Sequence, residues 1–243
     1  MRSFSPWLWI WVLVAGCGRF FGGPIQPVLE KQQEPNVVVQ DDGSVIYQYQ
    51  RLEIGLRPMT DAELNRQFRT YSDKGAASTN PYTYGNWKPP GENWTPPKYT
   101  VFLLKLKNYA YPKMQANPTR AELRSETSKR TYKPLAIEEI LEYYYAHAQA
   151  YAGNYYRQFQ ERRDLLRRTL FKGEVVFSGQ EKEGYIVFPK LDPDVEAFTV
   201  HLRDIAVRFD YRDEPVETID LKFRFRREVS RGYQPPASVR AER

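Results

Sequence analysis

Few side chains of this sequence belong to chemically reactive types. The chain holds one cysteine, Cys17, and two histidines, His147 and His201. A thiol can act as a nucleophile or an attachment point, and an imidazole can act as a general base. His147 falls among Ala and Tyr residues of a predicted helix, while His201 falls on the polar face of a predicted strand. With no nucleophile elbow, zinc-binding helix or phosphate loop, the sequence predicts neither catalytic residues nor a cofactor.

Two pairs of carboxylates are the remaining candidates for chemistry. Glu138 and Glu142 share one face of a predicted helix and could work as an acid and a base. They also lie near the helix start, where negative charge complements the dipole. Asp192 and Asp194 flank a proline and could touch Ca²⁺, although Asp-Pro-Asp is typical of a turn. We favour the structural interpretation for both pairs and predict no metal site.

The residues before Cys17 have the layout of an export signal. Arg2 is followed by an unbroken apolar run over residues 7–15, and the run ends in the sequence Leu-Val-Ala-Gly-Cys at residues 13–17. This layout is typical of a signal peptide, and the run is shorter than the ~20 residues that a membrane-spanning helix needs. Residues 13–17 resemble the lipobox of bacterial lipoproteins.

The lipobox resemblance implies that the chain is exported, cut before Cys17 and held on a membrane by lipid on that cysteine. Lipidation accounts for a single thiol in an exported chain, since one cysteine cannot form an internal disulfide. In this family an aspartate after the cysteine favours inner-membrane retention, and this chain has Gly18 there. We therefore expect outer-membrane anchoring in the cell envelope, with the periplasmic and surface-facing sides both open.

Composition limits the partners and the domain count. The chain has 36 basic and 30 acidic residues, for a net charge of +6. The two signs are interspersed, whereas a nucleic-acid surface gathers its basic residues on one face, so no nucleic-acid partner is predicted. Glycine, proline and polar residues over 17–43 predict a lipidated, flexible tether with a reach of roughly 25 to 30 Å. We expect one folded domain over residues 44–229 and a disordered tail over 230–243.

Alternating apolar residues predict that the domain is mainly β. Val45 and Tyr47 share one phase and Leu52 and Ile54 the other, which indicates a bulge or bend near Gln50. Further alternating runs follow around residues 99–108, 174–178, 185–188, 198–211 and 218–226, with turn residues between them. Six to eight such strands favour an antiparallel and immunoglobulin-like β-sandwich.

Residues 135–171 form the strongest periodic segment. Apolar residues recur at helical spacing and include Tyr144, Ala148, Tyr151, Phe159 and Leu166, which predicts an amphipathic helix inserted in the β-rich domain. Gly153-Asn154 can divide it, so one helix and a helical hairpin both stay open. Three consecutive tyrosines from Tyr143 cannot share one helix face, and either simple packing or a partner-binding face explains them.

An irregular loop over residues 75–98 carries prolines and aromatic residues. The candidate binding residues are Tyr82, Tyr84, Trp87 and Trp94 in the loop and Tyr99, the first residue of the next predicted strand. Long loops of this kind are often functional, although such rings can also simply pin a loop to its domain. We favour a structural or adaptor lipoprotein that docks on another envelope protein. The alternative is a carbohydrate-binding lipoprotein whose rings stack on a polysaccharide.

Overall fold

The computed structural model describes residues 18–241. Its strands are β1 (Arg19–Gly22), β2 (Gln26–Pro27), β3 (Val37–Val39), β4 (Val45–Tyr49), β5 (Leu52–Met59), β6 (Tyr99–Asn108), β7 (Lys113–Gln115), β8 (Glu122–Ser125), β9 (Thr131–Tyr132), β10 (Val175–Phe177), β11 (Gln180–Pro189), β12 (Ala197–Phe209), β13 (Pro215–Arg226) and β14 (Val229–Gly232). Its α-helices are α1 (Asp61–Gln67), α2 (Arg69–Ser72), α3 (Ile137–Ala150), α4 (Tyr156–Thr169) and α5 (Ala237–Ala241). The predicted signal peptide, residues 1–16, and the predicted lipidation site, Cys17, lie outside the described residues.

The strands form two main antiparallel sheets. The first has the order β11-β6-β5-β4-β3, and the second has the order β10-β7-β12-β13-β2 with β8 and β9 attached beside β12. A separate two-stranded ribbon pairs β1 with β14. The predicted fold class, mainly antiparallel β with a helical insertion, is confirmed, while the immunoglobulin-like topology stays a prediction.

The two sheets face each other across a dry hydrophobic core. Leu52, Ile54 and Leu56 alternate along β5 and are all fully buried. Across the core, the Phe102 ring of the first sheet lies 5.2 Å from the Phe225 ring of the second, centroid to centroid. Period-two patterning therefore places one face of each sheet in a shared interior, which makes the domain a β-sandwich.

Two changes of phase along the strands have different causes. Near Gln50 the predicted bulge or bend is a tight turn that joins two separate strands, β4 and β5, and Gln50 has a φ of 54° there. The chain reverses there, so both phases face the same core. In β12, an extra residue around Asp204 bulges between Leu202 and Ile205, and both of these side chains stay buried. The bulge lets the phase switch without exposing apolar residues.

The segment at 135–171 is a helical hairpin, α3 and α4, joined through a turn with Gly153 at a φ of 77°. The hairpin covers the outer face of the first sheet and forms a second core that includes Tyr144, Phe159 and Leu166. Tyr151 does not belong to this core. Its side chain is 53% exposed because α3 ends at Ala150 and the helical phase is lost. No helix within residues 18–241 is long and apolar enough to span a membrane.

Both segments predicted to be flexible contain regular secondary structure within residues 18–241. β1 pairs with β14, and the Gln33 side chain hydrogen-bonds both the backbone N–H and the C=O of Arg224. The segments predicted as a flexible tether and a disordered tail therefore contain strands or a helix that pack on the domain, within residues 18–43 and 230–241. Neither segment has a long amphipathic pattern from which its structure could be predicted. Instead, short strands of the two segments hydrogen-bond to each other. Val239 in α5 is also buried.

Candidate functional site

The predicted aromatic binding surface is not one surface, because its five residues go to different places. Tyr82 is fully buried in the second core, where its ring lies 5.1 Å from that of Tyr185 and its hydroxyl hydrogen-bonds Thr169. Burial raises the pKa of Tyr82. Trp94 packs edge-on against Phe21 of β1, with ring centroids 5.5 Å apart. Both rings therefore attach the loop to the domain, and Tyr82 is closed to any ligand.

Tyr84 and Trp87, in contrast, line a cleft between the loop and the helical hairpin. Their ring centroids lie 5.8 Å apart, and the cleft has a volume of about 380 Å³. We call it the tyrosine cleft. Its principal lining residues are Tyr84, Trp87 and Lys98 from the loop, Tyr143, Tyr144 and His147 from α3, Tyr151 and Tyr155 from the α3–α4 connection, and Gln158 and Arg162 from α4. Tyr99, at the start of β6, is not part of this lining.

Lys98 lies at the inner end of the tyrosine cleft within a cage of rings. Its Nζ is 4.6 Å from the centroid of Tyr144, 4.9 Å from that of Tyr84 and 5.8 Å from that of Tyr99. The negative faces of such rings attract an ammonium group. Burial nevertheless disfavours the charged form and, with repulsion from Arg162, lowers the pKa of Lys98 to about 7.

Arg162 is the second cation of the cleft and also holds the loop. Its guanidinium lies 4.7 Å from the Tyr144 ring centroid and donates a hydrogen bond of 2.6 Å to the carbonyl of Ser78. Burial lowers the pKa of Arg162, although a guanidinium stays protonated under ordinary conditions. The neighbouring carboxylate of Glu161 is engaged elsewhere, with Lys74 at 3.0 Å.

The two histidines have no catalytic partner among the described residues. His147 lies between the rings of Tyr151 and Tyr155, at centroid distances of 5.0 and 5.4 Å. Burial, followed by the charges of Arg162 and Lys98, lowers the pKa of His147, so its imidazole is neutral at pH 7. Burial also lowers the pKa of His201, which lies in the sheet beside Glu122 and Lys222.

The acidic candidates have structural roles. Asp192 and Asp194 both bind Arg130, at 3.0 and 2.8 Å, so the Asp-Pro-Asp segment is an ion-paired turn. Glu138 lies in the first turn of α3, beside Glu139, whose carboxylate accepts a hydrogen bond from the N–H of Ala136 at 2.7 Å. Within residues 18–241, no group of three or more His, Cys, Asp or Glu side chains is placed to hold a metal ion.

Sequence reasoning missed the basic half of the cleft. In the sequence, Lys98 is simply the last residue of the aromatic loop, and Arg162 is one of several arginines in the second half of the helical segment. The tyrosine run from Tyr143 was noticed, and the structure explains it: Tyr144 faces inward while Tyr143 borders the cleft. Only the packing of the loop on the hairpin brings these residues together.

Comparison with known proteins gives no family for this chain. No protein-family model, no curated protein and no solved structure matches it. The chemistry of the tyrosine cleft is therefore the basis on which a function is assigned.

Proposed function

We propose that this protein is an envelope lipoprotein, anchored through Cys17, whose folded domain binds a saccharide in the tyrosine cleft. The observation that carries the proposal is the lining itself: Tyr84, Trp87, Tyr143 and Tyr151 border an open concavity. Aromatic rings supply flat apolar faces for the C–H side of a sugar ring, while phenol and indole groups can exchange hydrogen bonds with hydroxyls.

The shape of the cleft supports a small or chain-like ligand. Its volume of about 380 Å³ lies in the range of ordinary ligand pockets, which combine apolar walls with a few polar groups. A second cleft of about 410 Å³, between the hairpin and β11, has a lining dominated by apolar residues such as Leu135, Leu166 and Ile186. Phe171 and Tyr185 are its aromatic lining residues, so the tyrosine cleft offers more ring faces for stacking and is the better candidate.

A glycan array that presents neutral and acidic oligosaccharides tests the proposed function. Trp87→Ala should weaken capture of the bound glycans at least about tenfold, since stacking on a large ring is lost, and should leave the melting temperature nearly unchanged. The matched control is Trp94→Ala, which removes the ring that packs on Phe21. This control should destabilise the domain while the remaining folded protein still binds.

The proposal is wrong if no glycan binds the wild-type protein. It is also wrong if Trp87→Ala lowers the melting temperature as much as Trp94→Ala and leaves glycan capture intact, because Trp87 would then be a structural clamp.

A structural or adaptor role, in which the domain docks on another envelope protein, is the second candidate. It is favoured by exposed rings on the hairpin outside the cleft lining: Tyr145 is 44% exposed and Tyr156 is 46% exposed, and both pack against Phe159. Aromatic residues are enriched at protein interfaces. Crosslinking in the native envelope separates the two roles. An adaptor should capture a protein from position 145 or 156, whereas a saccharide receptor should capture its ligand from position 87.

A further inference from the structure

Within residues 18–241, neither cation of the tyrosine cleft forms an ion pair with a carboxylate, and the charge of Glu161 is the smallest of the effects on the pKa of Arg162. Burial and the charge of Arg162 both lower the pKa of Lys98 and so disfavour its charged form. Glu161, the acidic residue next to Arg162, forms its ion pairs with Lys74 and Arg157. Charges that are partly removed from water and not paired inside the protein are costly to maintain.

The groups that face Lys98 from the surrounding elements supply no negative charge near neutral pH. These groups are Tyr84 on the loop, Tyr99 on β6, Tyr143, Tyr144 and His147 on α3, and Arg162 on α4. Burial raises the pKa of Tyr84 and Tyr144 and raises that of Tyr99 to about 12, so these phenols stay neutral. The cleft is consequently positive at its inner end.

Hydrogen-bonding capacity is also left over in the wall of the cleft. The Nε–H of Arg162 and the Oε1 of Gln158 are buried and have no hydrogen-bond partner among the described residues. A buried donor or acceptor without a partner costs about 1 to 3 kcal/mol, so an incoming group that satisfies it gains correspondingly. The donor on Arg162 calls for an acceptor, and an anionic oxygen is the strongest acceptor available.

We infer that the saccharide bound in the tyrosine cleft is acidic, with its carboxylate or phosphate group beside Lys98 and Arg162. This inference rests on the proposed function and names the substrate class of the same site. The rings of Tyr84 and Trp87 contact the sugar, while the two cations neutralise its charge. Carboxylate and phosphate share this chemistry, and the experiment below separates them.

The test is calorimetric titration of the full chain with three probes: tetragalacturonate, its methyl ester and inorganic phosphate. The acid and the ester have the same sugar rings and differ only in charge. We expect tetragalacturonate to bind at least about tenfold more tightly than the ester, the effect of one charge-assisted contact. Inorganic phosphate should compete with tetragalacturonate if the anion site accepts phosphate, and should not compete if the site selects carboxylate.

Lys98→Met removes one of the two charges and keeps a side chain of similar length, so it should reduce the preference for the acid severalfold. The matched control is Lys88→Met, which removes an exposed lysine of the same loop that is not part of the cleft lining. If Lys98→Met does not fold, the pH dependence of tetragalacturonate binding by the wild-type protein still tests the inference. Its affinity for tetragalacturonate should fall as pH rises through about 7, because Lys98 then loses its proton.

Equal affinity for the acid and the ester, with no effect of phosphate, overturns the inference and leaves the proposed function standing. A preference for the acid that is undiminished in Lys98→Met, or that Lys88→Met reduces equally, also overturns it. No binding of any probe, combined with an empty glycan array, rejects the proposed function together with the inference.

Discussion

The two faces of the first sheet are covered in different ways. The face turned toward the second sheet packs on aliphatic residues and phenylalanines, such as Leu104, Phe102 and Phe225. The face beneath the helical hairpin packs on tyrosines whose hydroxyls bond across elements; Tyr144, for example, donates to the carbonyl of Pro81 at 2.7 Å. The core between the two sheets is closed to solvent, whereas the tyrosine layer beneath the hairpin continues into a solvent-exposed cleft.

Truncation in the dry core should have the largest effect. Phe225→Ala removes a fully buried ring that contacts Phe102 and Phe198, and should lower the free energy of unfolding by about 3 to 5 kcal/mol. Urea denaturation measures this loss in the free energy of unfolding. Lys222→Ala, an exposed change on the same strand, should stay within about 0.5 kcal/mol. A similar cost for both variants would mean that the sandwich interior is not the main source of stability.

The tyrosine layer should depend on its hydroxyls. Tyr144→Phe keeps the ring but leaves the carbonyl of Pro81 without its donor, so we expect a loss of about 1 to 2 kcal/mol. Tyr143→Phe is the matched control, because that neighbour is 52% exposed and its hydroxyl can bond to water. If the two variants unfold at the same urea concentration, the hydroxyl of Tyr144 contributes nothing specific to the layer.

Lys98 should make stability depend on pH. Its pKa is about 7 in the folded protein against an ordinary value of 10.5, so the unfolded chain binds more protons between these values. The free energy of unfolding should therefore rise with pH from about 7 to about 9, before tyrosines begin to ionise in the unfolded state. Lys98→Met should remove this contribution. Thermal melts of both proteins across that range measure it, and parallel curves would show that Lys98 is not desolvated.

The smallest effect on stability is expected at Tyr151, at the exposed end of the tyrosine layer. Because the ring is 53% exposed, Tyr151→Asp should change the free energy of unfolding by only about 0.5 kcal/mol or less. The new carboxylate should nevertheless weaken tetragalacturonate binding by repulsion. Tyr151→Asn provides the neutral control. A large drop in melting temperature would show that the ring belongs to the second core after all.

The sequence predicted elements whose pattern repeats over many residues. The alternation in β5 and the helical segment at 135–171 are both present in the structure. It could not predict the pairing of β1 with β14, because a four-residue strand has no period to detect and its partner lies at the other end of the chain. Only the aromatic part of the cleft was predicted. Aromatic residues are conspicuous in a loop sequence, whereas the roles of Lys98 and Arg162 depend on packing between segments that are distant in the chain.

The position of β1 has a consequence for where the cleft can work. β1 begins at Arg19, two residues after Cys17, and two extended residues span only about 7 Å. With lipid on Cys17, the ribbon of β1 and β14 is held at the level of the headgroups, where Phe20 and Tyr233, 45% and 77% exposed, can enter the interface. Under the proposed lipid anchoring, the domain would stay close to the membrane surface, and its search for a ligand would be confined to a thin layer there.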